Sequence, residues 1–399
     1  MSEIKIDWKG HAKKYQAAME ELNIDFCVLT RVKSITYLAG CFVPWKSAIF
    51  LPKEGEGDPI LFTVLLDVER IKAEGVLDVI GWGPMKGFYW EKVIQKAAKK
   101  AGAYKPKGPP PRIGVELGLD ICITGATLQY TEAELLKKVF PGCEFVDFND
   151  KTEQIQLIKE PEEIAMLRKA SAITDIGQDA VKKALSERPT GKIFTENEIA
   201  GIATLAMRKA GSNWEWTFTG GEEIGSGYRA SWTFNGCTPA TNKQVNEGES
   251  LLVDLHSEYG CYLGDLSHNY ILGKCPPELK KFNDVYEQLC YTLIDNMKPG
   301  ITFDECYNEV YKVADQAGFG NDLFFGVGHG IGLIGNESWP VVVPGKDWGP
   351  MVFKENMVEI AAVVFNRPGL GGLRLESPTL ITSNGAEVLP KTPFEVDYI

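Results

Sequence analysis

Two aspartates eleven residues apart, Asp254 and Asp265, lie on either side of the Tyr259-Gly260 step. The run Ser250-Leu-Leu-Val-Asp-Leu-His256 leads into that point and Cys261–Leu272 leads out, a pattern that predicts a β-hairpin. A hairpin symmetric about Tyr259-Gly260 sets the two carboxylates opposite each other, with Cα atoms about 4.5–5.5 Å apart. Like charges that close are costly unless a cation lies between them or one keeps its proton. The pair therefore constrains fold and chemistry together. The strands must form a ribbon, and the ribbon must find positive charge, for which a divalent metal is the usual source.

A chain of 399 residues predicts two or three domains with ample core. Its net charge of −12 argues against nucleic acid or an anionic membrane as the main partner. The opening Met1-Ser-Glu-Ile-Lys lacks a signal-like apolar stretch, and no run of eighteen apolar residues predicts a membrane span. Nine cysteines, odd in number and without CxxC pairs, read as reduced thiols of a cytoplasmic protein.

Residues 12–22 read as a helix, with His11 in a solvated segment before it. The strand Asp25–Thr30, apolar runs at Ala48–Leu51 and Pro59–Leu66, a helix near Trp90–Ala101 and a strand at Ile113–Glu116 predict an α/β N-terminal domain. Lys159-Glu-Pro-Glu-Glu-Ile164 marks the boundary, dividing the chain into residues 1–158 and 159–399. Pro161 suits a first helical position, Glu162 and Glu163 suit the positive end of the helix dipole, and Ile164, Leu167, Ala170 and Ile173 form an apolar stripe. From there on, helices interleave with paired strands, an α+β pattern.

Three further groups join the aspartates. Gly326-Val-Gly-His329-Gly-Ile-Gly332 sets a histidine among glycines, which permit close backbone approach to a ligand. Asn356–Phe365 and Gly371–Ile381 predict a second hairpin with Asn366-Arg-Pro-Gly-Leu at its tip, placing Arg374 and Glu376 on one face. Two Asp, one His and one Glu on paired strands suit Mn, Fe, Co or Zn. His256, two residues after Asp254, projects from the same face and is a candidate proton carrier or further ligand; His268 should point away.

This order of residues resembles the pita-bread superfamily of prolidase, aminopeptidase P, methionine aminopeptidase and creatinase. Asp254, Asp265, His329 and Glu376 match its metal ligands, and Arg374 stands in its expected place. Ile35-Thr-Tyr-Leu-Ala-Gly40 and the connector Leu157–Ile164 resemble the corresponding parts of the family. The resemblance implies an α/β creatinase-type N-terminal domain, an α+β pita-bread catalytic domain at the C-terminus, and a homodimer in which Trp45 reaches a partner subunit's site. The departures are specific. Fourteen residues before Glu376, where the family's peptidases carry another ligand Glu, stands Ala362, expected directly across the strand from Glu376. Cys237 and Asn336 stand where those peptidases place substrate-site histidines.

The expectation is a hydrolase acting on a C–N bond of a small non-peptide substrate, as creatinase and ectoine hydrolase do. It uses one metal ion rather than two, held by Asp254, Asp265 and Glu376 with His256 or His329 as a further ligand or proton carrier, and His329, Glu376, Arg374 and His256 are catalytic. Trp232, Cys237, Phe325, Asn336 and Trp45 line the substrate pocket, within a wider group of aromatics at Trp214, Trp216, Phe234, Phe324 and Trp339. The alternatives are an Xaa-Pro dipeptidase or aminopeptidase, a metal-dependent lyase of a sulfonium acid, a metal-free site like creatinase's, and a non-catalytic binding module.

Overall fold

The computed structural model describes residues 4–83, 90–103, 107–118, 127–213, 222–230, 239–323, 325–334 and 340–399. The chain divides into two compact units, Met1–Leu157 with Leu333–Asn336, and Ile158–Gly332 with Glu337–Ile399.

The first unit runs α1 (Trp8–Glu21), β1 (Phe26–Leu29), α2 (Val32–Ala39), β2 (Ala48–Pro52), β3 (Ile60–Val64), α3 (Val68–Glu74), β4 (Asp78–Trp82), α4 (Trp90–Lys100), β5 (Arg112–Val115), α5 (Tyr130–Val139), β6 (Glu144–Asp147) and α6 (Asn149–Leu157). The six strands form one mixed sheet in the order β4-β3-β2-β1-β5-β6. Phe26, Phe50, Phe62, Ile113 and Val115 pack from the sheet against Ala97, Ala98 and Leu136 of the helices. This is the expected α/β unit. His11 departs from expectation. Helix α1 begins early enough to turn it inward, where its ring stacks on Tyr37 with centroids 3.6 Å apart and its Nδ1 lies 2.8 Å from the Tyr37 carbonyl.

The second unit contains α7 (Pro161–Ser186), α8 (Glu196–Ala210), β7 (Glu223–Ser226), β8 (Ser250–Tyr259), β9 (Tyr262–Ile271), α9 (Pro277–Asn296), α10 (Phe303–Gln316), β10 (Gly328–Gly330), β11 (Val358–Ala362), β12 (Phe365–Arg367), β13 (Gly371–Leu373), β14 (Glu376–Thr382), β15 (Gly385–Val388) and β16 (Asp397–Tyr398). Its main sheet has the order β10-β11-β14-β9-β8-β7; β15 adds to β14, and β16 adds in parallel to β9. Among the described residues no helix is long and apolar enough to cross a membrane.

Helix α7 begins at Pro161, whose missing N–H costs nothing there, and the Glu160 N–H donates to the Glu163 carboxylate at 2.9 Å. Its buried stripe, Ile173, Val181 and Leu185, packs on Leu251, Val253 and Leu255 of β8. Each such side chain contributes about 1.5–3 kcal/mol of burial. A Cβ on Gly264 would lie 2.7 Å from the Ala170 carbonyl, so glycine lets the helix rest directly on β9. Because successive strand residues alternate in direction, committing the odd positions of β8 to α7 sends Asp254 and His256 to the other face.

The β8–β9 register differs from the symmetric hairpin. Tyr259 pairs with Tyr262, and the turn is Gly260-Cys261, with φ of 60° and 70°. Both central residues being left-handed makes this a type I′ turn, whose twist matches that of the flanking strands. Asp254 therefore pairs with Ser267, and Asp265 pairs with His256. A shift of two residues keeps every side chain on its face. The two aspartates become diagonal neighbours, about 7–8 Å apart at Cα. At that spacing the two carboxylates, with His256, still offer ligand atoms within 4.8 Å of one another.

Candidate functional site

The face of the sheet turned away from α7 carries a continuous row. Ala362 pairs with Glu376, Glu376 with Ser267, Ser267 with Asp254, and Asp254 with Glu223, spanning β11, β14, β9, β8 and β7. Directly paired residues share a face, so these five side chains stand side by side. His256 and Asp265 form the adjacent pair, and His329 on β10 pairs with Ile360, two residues from Ala362. Thus Asp254, Asp265, His256, His329, Arg374 and Glu376 do converge. All except His329 are buried, and it is half-buried.

Charge at the site is organised by Arg374. Its guanidinium bonds Asp254 Oδ2 and places Nε 3.0 Å from Glu376 Oε2. Burial opposes the arginine's charge, but Asp254, Glu376, Glu223 and Asp265 outweigh it and raise the pKa above the ordinary value. Burial likewise pushes Glu376 up. Arg374, the charge and hydrogen bond of His329, and the Ser267 hydroxyl at 2.6 Å more than offset this and hold it at about 2. His329 Nε2 lies 3.0 Å from Glu376 Oε1, and its Nδ1 lies 3.1 Å from the Gly330 carbonyl. Both of those partners are acceptors, so either ring nitrogen can donate to the acceptor beside it according to the tautomer, and a metal at Nε2 would take the place of its contact with Glu376.

Two overlapping sets of side chains offer metal-ligand atoms within 4.8 Å of one another: Asp254, His256 and Asp265, and Asp265, His329 and Glu376. Asp254 Oδ1 is buried with no hydrogen-bond partner among the described residues. An oxygen in that state, among carboxylates and imidazole, fits a divalent transition ion. Across from Glu376, Ala362 offers only a methyl group. The nearby acid on β11, Glu359, pairs with Thr379 and points to the opposite face. Burial raises it to about 8, eased by Lys159 and His329.

His268 points away, as its place in the strand requires, with Nε2 3.0 Å from Asp397. Phe325, on the second unit, and Trp45, on the first, are both exposed. Trp214, Trp216, Trp232, Phe234, Cys237, Phe324, Asn336 and Trp339 lie outside the described residues. Two neighbours of the cluster had gone unnoticed in the sequence, Ser267 and Glu223. Ser267 follows Asp265 by two residues and so shares its face, a signal the sequence contained. Glu223 is brought in only by the pairing of β7 with β8.

The model of metallopeptidase family M24 matches residues 165–383, and that of the creatinase/prolidase N-terminal domain matches residues 12–158. The chain belongs to metallopeptidase family M24. Its relatives include the Xaa-Pro dipeptidase of Pyrococcus furiosus, 26% identical over 389 residues that cover 97% of this chain and 99% of the relative. The Xaa-Pro dipeptidase of Lactobacillus delbrueckii subsp. lactis is 25% identical over 395 residues, covering 97% and 98%. Among solved structures, the prolidase of Pyrococcus horikoshii OT3 superposes with a TM-score of 0.78 at 24% identity, over 96% of this chain and 98% of that one. The Thermococcus sibiricus prolidase reaches 0.82 at 18% identity, covering 99% and 100%. The two-domain M24 architecture is thereby established, and with it a metal-dependent hydrolase.

Proposed function

We propose that this M24 hydrolase cleaves the amide C–N bond of a small peptide-like substrate, with Xaa-Pro dipeptides as the class to test first. The reading is carried by the convergence of Asp254, Asp265, His329, Glu376 and Arg374 on one sheet face. It is supported by full-length relatives named Xaa-Pro dipeptidase. A divalent ion bound here would polarise the scissile carbonyl and lower the pKa of an attacking water. The protein's own groups do the rest. Asp254 and Asp265 supply anionic ligands. Arg374 fixes the orientation of Asp254 and Glu376. The hydrogen-bonded His329–Glu376 pair can take a proton from water and return it to the leaving nitrogen.

One observation favours a second reading. Ala362 stands opposite Glu376, so the second ligand set lacks a carboxylate from β11. Such a site suits one ion better than two and favours a C–N bond of a non-peptide substrate, as in creatinase or ectoine hydrolase. Part of the proposal is a homodimer, which sedimentation of the full chain would test.

The deciding experiment presents the metal-reconstituted full chain with Gly-Pro, Ala-Pro, creatine and ectoine. Turnover of the Xaa-Pro dipeptides at ordinary enzyme rates is expected. Turnover of creatine or ectoine with the dipeptides inert would replace the first reading by the second, and inactivity on all four would sink both.

A further inference from the structure

We propose that the tightly held ion sits between Asp254, His256 and Asp265, with His256 as its nitrogen ligand, and that His329 and Glu376 remain outside its coordination sphere as a proton-handling pair. This builds on the metal-dependent hydrolase reading but is independent of the substrate.

The two candidate ligand sets share Asp265 and differ in how far their other atoms are already committed. In the set with His329, both oxygens of Glu376 are engaged. Oε1 faces His329 Nε2 at 3.0 Å, and Oε2 accepts from Ser267 Oγ at 2.6 Å and lies 3.0 Å from Arg374 Nε. An ion there would have to displace the His329 contact and compete with the Ser267 hydroxyl for this carboxylate, and the facing Ala362 gives nothing in return. In the other set, Asp254 Oδ1 is buried and makes no hydrogen bond among the described residues. His256 is the register partner of Asp265, with Nε2 3.4 Å from Asp265 Oδ1, close to the separation of two ligands on one ion. A buried carboxylate oxygen such as Asp254 Oδ1, without a partner among the described residues, is costly, and a cation beside it removes that cost.

The ligand set also predicts a preference. Two carboxylates and one imidazole favour Zn²⁺ or Co²⁺ over Mg²⁺, whereas an all-oxygen set would not discriminate in that sense. With the ion held by Asp254, His256 and Asp265, the His329–Glu376 contact would remain available to handle protons.

The test is titration of Co²⁺ into the metal-free full chain, followed by calorimetry and by visible d–d absorption. The expected result is one tight site. His256→Ala should weaken it at least about tenfold and shift the absorption band, as loss of a ligand does. His329→Ala should leave Co²⁺ affinity within about twofold while lowering turnover. If His256→Ala disturbs folding, His256→Asp supplies the second variant. It should restore tight binding with an oxygen ligand and move the preference from Co²⁺ toward Mn²⁺. Loss of Co²⁺ in His329→Ala with retention in His256→Ala overturns the assignment, and so do two tight ions each lost with one histidine. Substrate failure in the preceding panel leaves these binding readouts untouched, so the two proposals fail separately.

Discussion

Ala362 and Glu376 are direct partners across the β11–β14 ladder, so the side chain at position 362 faces the carboxyl that Arg374, Ser267 and His329 hold ionised. Ala362→Glu would therefore add a carboxylate next to His329 and complete a second ligand set. Metal content measured by elemental analysis is expected to rise by about one ion per chain, since an added carboxylate supplies the missing oxygen donor. Without metal the variant should be less stable than the parent, because like charges directly opposed on a ladder repel. Unchanged metal content would show that position 362 does not face the site.

Arg374 is the counter-charge of a buried acidic cluster. Arg374→Met leaves Asp254 and Glu376 without it, and removing one member of a buried ion pair costs about 3–5 kcal/mol. Chemical denaturation of the metal-free protein should register that loss. Added Co²⁺ should recover part of it in the variant, because the ion replaces the missing positive charge. A variant as stable as the parent without metal would mean that the guanidinium does not neutralise these carboxylates.

Two buried glutamates predict opposite pH dependences. Glu376 is depressed to about 2 in the folded protein, so its contribution is present above the unfolded carboxyl value of about 4.3 and is lost as pH falls toward 2. Glu359 is raised to about 8, so its contribution is present below the unfolded value and disappears as pH rises toward 8. Glu359→Gln should accordingly stabilise the metal-free protein more at pH 9 than at pH 5. Equal effects at the two values would show that Glu359 does not carry that shift.

The Gly260-Cys261 turn sets the diagonal spacing of the aspartates. A side chain at Gly260 would adopt φ of 60° and meet the Met166 thioether at 3.2 Å. Gly260→Ala should cost about 1–2 kcal/mol, the penalty of a left-handed non-glycine residue. It should also weaken Co²⁺ binding, since the turn fixes how β8 meets β9. A variant that binds Co²⁺ as the parent does would separate turn geometry from site geometry.

Much of this architecture was legible in the chain. Period-two alternation alone puts Asp254 and His256 on one face and Asp265 and Ser267 on one face, because pleating leaves a strand no choice. The Pro368-Gly369 tip sets the second hairpin, and Ala362 does face Glu376 as the symmetry about Gly369 requires. Pro161, the flanking glutamates and the stripe of Leu167, Ala170 and Ile173 specify helix α7 from local chemistry.

Other features needed the folded chain. Whether the first hairpin turns at residues 259–260 or 260–261 depends on which pair tolerates positive φ, and Cys261 gave no sign that it would. His11 looked solvated because its burying partner, Tyr37, comes from a different helix. Glu223 reaches the cluster only through the β7–β8 pairing, which closes a long loop in the chain. The sequence by itself determined which residues could share a face and that their charges demand a cation, because both follow from local geometry and Coulomb's law. Which of them stand together, and which oxygens remain free to receive an ion, was decided by strand order and register, which are set by packing between segments far apart in the chain.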